Sequence, residues 1–293
     1  MLNNNMIAVI LGVIIGFLNR LLMLKTDYRQ YPTHTHGRII HLSLGFIAAG
    51  LGAVAVPSLL KENYTAITFL GLAAQQFRDV RNMERQTLTT LDSLELVPRG
   101  VTYIEGIAMV FEGRNYLVIF TSFFVSLISI LMDWKWGILA GIITLFVSKK
   151  YMSGSSIKEL AEVVEGKVIV NGPHLYVDDI YIMNIGLKDN QDRILEHGVG
   201  IILKPKDQNS IVTIANLGQR QAILHNLATI MGVYRDSGEP ALVPLAKRDL
   251  NDGRLGVFFL PQIKDIQKAI EVVKQTPVLE NAVRLPSESE VNE

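Results

Sequence analysis

"TYIEGIAMVFEGRNYLV", Thr102 to Val118, runs without a break into an apolar stretch that ends near Met132. Glu105, Glu112 and Arg114 stand at the doorstep of a segment that otherwise has the composition of a membrane span. Charges in that position mark a membrane surface, where they stay hydrated while their neighbours enter hydrocarbon. Val101–Phe111 reads as a short helix with Val101, Ile104, Ala108 and Phe111 along one side. The expectation is that it lies in the interface and turns at Gly113 into a span. Glu105 and Glu112 are seven residues apart, so they share a face about 10.5 Å apart along the axis. Two such carboxylates can bind a cation or pass a proton, or can simply form a solvated polar face.

Outward from this stretch, the rest of the first half has the same character. A helical span takes roughly 20 mostly apolar residues. Met6–Leu24 and Ile39–Leu60 meet that length and Tyr116–Met132 nearly does, whereas Tyr64–Phe77 and Trp136–Val147 are shorter. The start, "MLNNNMIAVILGVIIGF", lacks the basic n-region and cleavage site of a secretory signal and reads as a retained span. The fold expected is an α-helical membrane bundle of four or five spans over residues 1–150. A cytosolic α+β domain over 151–285 and a disordered acidic tail over 286–293 follow it.

Composition agrees with that split. The 293 residues carry no net charge and are 49% hydrophobic, with the apolar runs before Lys149 and regularly spaced charges after it. With no cysteine, disulfides, thiolate zinc sites and a cysteine nucleophile are excluded. The neutral balance gives no reason to invoke nucleic acid. Placing the N-terminus outside puts Lys25, Arg29, Arg38, Arg78, Arg81, Arg85, Arg99, Arg114, Lys149 and Lys150 on the inner side, against Lys61 and Lys135 outside. That bias orients the second half to the cytosol, with Trp134 and Trp136 at the outer interface. Arg20 reads as a snorkelling anchor, and Pro57 as a kink or stop near the outer end of its helix. Gly45, Ala49, Gly50, Gly52 and Ala53 read as ordinary close packing within one bundle. With so few ionisable residues at mid-membrane, transport is the weakest functional class.

"FRDVRNMERQTLTTLDSLE", Phe77 to Glu95, puts Phe77, Val80, Leu88, Leu91 and Leu94 near one helical face, so the third apolar segment continues as an amphipathic helix until Pro98 and Gly100. Beyond Tyr151, Ser156 and Glu159 have capping-box spacing for a short helix through Val164 to Gly166. Strands are expected at Val168–Val170, Leu175–Ile182, Val199–Leu203, Ile211–Ala215, Leu242–Leu245 and Leu255–Leu260. Helices are expected at Gln219–Met231, with Ile223, Leu227 and Ile230 inward, and at Ile263–Val273.

Several constellations invite chemistry. "THTHGRIIH" brings His34, His36 and His41 near Asp27, but no His-Glu-x-x-His pattern accompanies it and no metal or cofactor is assigned. Asp178 and Asp179, adjacent in an expected strand, point to opposite faces. Asp236-Ser237-Gly238 matches the loop that carries the catalytic aspartate of aspartic proteases. One such motif per chain would demand a homodimer in which two aspartates share a proton, with Ser237 supporting the carboxylate. Arg235 and Glu239-Pro240 are poor neighbours for that loop, and Asp-Ser-Gly is also turn chemistry. His197 and His225 read as structural. Nucleotide-loop and serine-hydrolase patterns are missing.

"YIEGIA" (Tyr103–Ala108), together with "DYRQYP" (Asp27–Pro32), resembles the signature pair of the YIEGIA family of multi-pass membrane proteins from endospore-forming Firmicutes. The resemblance implies a bacterial cell-membrane protein linked to sporulation, and it supplies no catalytic residues to carry over. Both motifs fall on the expected cytosolic side. There Asp27, Tyr28, Arg29, Tyr31, Tyr103, Glu105 and Glu112 form one expected patch, with Arg29 paired to Glu105. The patch reads as a structural clasp or as a recognition surface for a sporulation partner. The function expected is a membrane-anchored regulator or scaffold, with an aspartic-type protease centred on Asp236 as the alternative.

Overall fold

In a computed structural model the described residues are 4–28, 35–151, 154–235 and 241–288, with the side chains of 35, 36 and 151 outside the description. The first half is helical: α1 (Asn4–Asp27), α2 (Thr35–Leu60), α3 (Tyr64–Asp92), α4 (Val101–Leu131) and α5 (Trp134–Tyr151). Three helices among the described residues, α1, Gly37–Leu60 of α2, and α4, are long and apolar enough to cross a membrane. The expected count of four or five is therefore not reached on length and composition. α3 turns polar in its second half, and α5 is 18 residues with Lys135, Lys149 and Lys150 at its ends.

α4 corrects the opening expectation. No turn occurs at Gly113, and the interfacial segment and the span form one helix of 31 residues. A helical glycine costs only about 1 kcal/mol relative to alanine, too little to interrupt a long apolar helix. The amphipathic continuation of α3 is present, with Phe77 and Leu88 buried, although Leu94 lies beyond the helix end and is exposed.

The chain divides into two compact units, Met1–Gln86 with Ile107–Gly154 and Thr87–Gly106 with Ser155–Glu293. In the first, Met23, Ala48, Ala49, Phe77 and Val118 form a core. The small residues of α2 serve that packing: Ala49 and Ala53 are fully buried. A Cβ on Gly52 would come within 2.1 Å of the Ile119 carbonyl oxygen of α4. Pro57 sits inside α2 three residues before its end and has no N–H for the Ala53 carbonyl. The Ser126 hydroxyl of α4 donates to that carbonyl at 3.0 Å. Asn19 of α1 likewise donates to the Thr121 hydroxyl of α4 at 2.9 Å.

The second unit contains α6 (Ile157–Leu160), β1 (Ala161–Gly166), β2 (Val168–Asn171), β3 (His174–Val177), β4 (Ile180–Asn184), α7 (Lys188–His197), β5 (Val199–Pro205), α8 (Gln208–Ala215), α9 (Leu217–Met231), β6 (Leu245–Arg248), β7 (Leu255–Phe259) and α10 (Ile266–Gln275). It is an α+β fold with two antiparallel sheets, ordered β1-β5-β7-β6 and β2-β3-β4. The period of two along β5 and β7 builds two cores. Ile201, Leu203, Val257 and Phe259 join Ile223 and Leu227 of α9 and Ala269 and Val273 of α10. Ile202 and Phe258 point the other way, to Leu175, Val177 and Ile182 of the three-stranded sheet.

Four elements differ from expectation, the first being the strand expected at Leu242–Leu245, which begins only at Leu245 and runs to Arg248 as β6, where it pairs with β7. Only one helical turn follows Ser156, and the rest of the expected helix is β1, paired to β5 along its whole length. Ile211–Ala215 is not a strand but the end of α8, started by Asp207, whose carboxylate accepts from the Ser210 N–H at 2.7 Å. The run Leu175–Ile182 is split by a turn at Asp178 and Asp179, with Asp178 at φ 54°. α9 buries Ile223 and Leu227, but Ile230 is exposed. At the C-terminus Pro286–Glu288 form a 3-10 turn, with Ser287 bonded to Asn209, while 289–293 lie outside the described residues.

Candidate functional site

Asp27 closes α1 and is the centre of a buried charge cluster in the first unit. Arg20 lies seven residues earlier, two turns along the same face. Its Nη1 donates to Asp27 Oδ2 at 2.5 Å, while Arg114 Nε of α4 donates to Oδ1 at 2.9 Å. Arg20 and Arg114 are 0% and 1% exposed. Arg20 is therefore a buried partner of Asp27, not a snorkelling anchor. Gly45 makes room for it: a Cβ there would meet Arg20 Cγ at 2.5 Å. The Arg20 guanidinium also lies 5.2 Å from the centre of the Phe111 ring.

The same cluster contains His41, fully buried, with its ring 4.5 Å from that of Phe111 and stacked at 6.0 Å on Tyr28. His41 Nε2 is 3.8 Å from Glu84 Oε1, and Arg81 Nη1 is 3.1 Å from Glu112 Oε2. The first unit thus buries more ionisable groups than the apolar runs of the sequence suggest. Two guanidiniums sharing one carboxylate tie α1 to α4, and this is the chemistry of a clasp.

Of the expected patch, Asp27, Tyr28 and Glu112 belong to the first unit. Tyr28 also faces Arg38, whose guanidinium lies 5.4 Å from its ring centre. Tyr103 and Glu105 belong to the second unit, where Tyr103 is buried and hydrogen-bonded by Arg99. Arg29 and Tyr31 lie outside the described residues, and so does the expected Arg29–Glu105 pair. His34, the side chain of His36, Asp236 and Ser237 also lie outside them. Among the described residues no group of three or more His, Asp or Glu is placed to hold a metal ion. The sequence reading passed over Arg20 and Arg114 as partners of Asp27; the one local signal was the seven-residue spacing of Arg20 and Asp27.

In the second unit His225 is structural: its Nδ1–H donates to the Val97 carbonyl at 2.7 Å, and burial pushes its pKa down. His197 stacks on Tyr234 at 5.3 Å. Gln219, fully buried, accepts from the Leu279 N–H and donates to the Pro277 carbonyl. Asp178 accepts from the Lys167 N–H, while Asp179 is bound bidentately by Arg254, which holds its carboxyl below the usual range.

A cleft of about 640 Å³ opens between the β4–α7 region and a wall formed by Tyr234, Ala241, Leu242 and Leu260. Ile185, Ile194 and Leu260 are its buried apolar residues. Arg193 and Asn190 of α7, three residues apart on one face, supply polar groups. Sequence reasoning missed this site because it left α7 unassigned.

Membrane-length apolar helices around a buried ionic cluster, followed by an antiparallel α+β unit with an open cleft, define a membrane-associated protein. The chain belongs to the YIEGIA family, whose profile, described as YIEGIA protein, matches residues 8–289. It is 57% identical over 280 residues to the Uncharacterized protein YphB of Bacillus subtilis (strain 168), covering 96% of this chain and 94% of that one. No solved structure matches it.

Proposed function

We propose that this is a multi-pass membrane protein of spore formation that acts as a regulator or scaffold through binding at its α+β unit. The observation that carries the reading is the open, apolar-walled cleft of about 640 Å³ in that unit, within the size of ordinary ligand sites. The Lys and Arg distribution supports an outside N-terminus and a cytosolic α+β unit. The spore-formation setting rests on the Asp27–Pro32 and Tyr103–Ala108 motifs and the family they mark. In this reading the bilayer holds the first unit, with Asp27 as its internal clasp, and a sporulation protein is the downstream partner.

Complementation tests it. In sporulating cells lacking the protein, Leu242→Trp, which puts a bulky ring into the cleft wall, accumulates normally but fails to restore spore yield, whereas Asp236→Asn restores it fully. A functional Leu242→Trp, or an inactive Asp236→Asn at normal abundance, would sink the binding reading and favour proteolysis.

A further inference from the structure

We infer that the cleft of the α+β unit binds a small amphiphilic anion, an apolar chain or ring bearing one carboxylate or phosphate group held by Arg193. The inference rests on the binding reading above and names its ligand class. Among the described residues Arg193 is the one charged residue lining the cleft, and no acidic side chain lines it. Among the described residues Arg193 has no hydrogen bond or ion pair, so its planar fork of donors is available to an oxyanion. Asn190, one turn away, adds an amide donor on the same face.

The remaining lining selects the rest of the ligand. Ile185, Ile194 and Leu260 offer buried apolar wall, and Leu187, 68% exposed, leaves apolar surface at the mouth. Burying such surface favours an apolar body. A nucleoside triphosphate fits poorly, since one guanidinium faces a multiply charged group and no glycine-rich phosphate loop occurs in the chain. One cation beside an apolar wall matches one anionic head on an apolar body.

The absence of cysteine supplies the experiment. Leu187→Cys, in the full chain reconstituted in lipid nanodiscs, carries a single thiol at the mouth. Its rate of modification by a water-soluble maleimide is followed against octanoate, octyl phosphate and octanamide. Octanoate or octyl phosphate should slow it at least fivefold, and octanamide should not; the more potent anion identifies carboxylate or phosphate as the preferred head. Adding Arg193→Gln should abolish protection, and Leu250→Cys, at an exposed position outside the cleft lining, should react at an unchanged rate throughout. Protection by octanamide equal to that by octanoate, protection that survives Arg193→Gln, or no protection overturns the inference. If Leu242→Trp still fails to support spore formation after such a result, the binding reading stands and the cleft's occupant is a protein segment.

Discussion

Asp27 binds two buried guanidiniums of the first unit, those of Arg20 and Arg114. A buried guanidinium without a counter-charge is costly, and here one carboxylate serves two of them. Arg20 Nε and Nη2 have no further partner among the described residues, so Asp27 is its counter-ion. Asp27→Asn should therefore destabilise the first unit by about 3–5 kcal/mol. Reversible unfolding in mixed micelles would register this as a lowered midpoint. Glu112→Gln is the contrast: its pair with Arg81 is partly exposed, and its loss should cost about 0–1 kcal/mol. Equal effects of the two substitutions would remove Asp27 from the clasp. Asp27 was legible as part of a motif, but its partners lie 7 and 87 residues away, and only the packing of α1 on α4 selects them.

At the scale of elements, α2 shows how a helix breaker is accommodated in an apolar bundle. Pro57 frees the Ala53 carbonyl of a fully buried residue, and Ser126 of α4 donates to it in place of the missing N–H. Ser126→Ala should cost about 1–3 kcal/mol, the penalty of an unsatisfied buried acceptor. Adding Pro57→Ala returns an N–H to the helix ladder, so the double variant should lose much less than Ser126→Ala alone. An additive double-mutant cycle would show that the two sites are uncoupled. The misread elements have related causes. The β-branched run at Ile211–Ile214 reads as strand in isolation, yet the Asp207 cap and the burial of Ser210, Thr213 and Ile214 at helical spacing make it α8. Ala161–Gly166 reads as helix, yet pairing with β5 makes it β1.

Over the whole molecule, each compact unit is assembled from separated stretches of chain. The second draws in Thr87–Gly106, and the bond from His225 to Val97 joins that segment to α9. Burial pushes the His225 pKa down, the bond to the Val97 carbonyl opposes this in part, and Arg99 nearby also disfavours the charged form. Above about pH 6.5 the imidazole is neutral whether folded or unfolded, and the contribution is complete. As the pH falls below that value the unfolded chain takes up a proton that the folded unit resists, and stability declines toward the depressed folded pKa. Thermal resistance of Ser155–Glu293 to protease in the full-length protein should accordingly drop between pH 7.5 and 5. His225→Gln, which keeps a donor for Val97, should flatten that drop; an unchanged slope would assign it to other groups.

The sequence by itself determined the apolar helices of the first half, the α+β character of the second and the family, because hydropathy, the short apolar runs that become β5 and β7, and the Tyr103–Ala108 and Asp27–Pro32 motifs are local properties of the chain. Tertiary structure alone decided that Arg20 and Arg114 share Asp27, that Ser126 answers Pro57, that Ala161–Gly166 is a strand, and that α7 helps wall a cleft. Each of those depends on a partner far along the chain. A buried charge, an orphaned carbonyl or an unpaired strand edge is stabilised only by what packing brings to it.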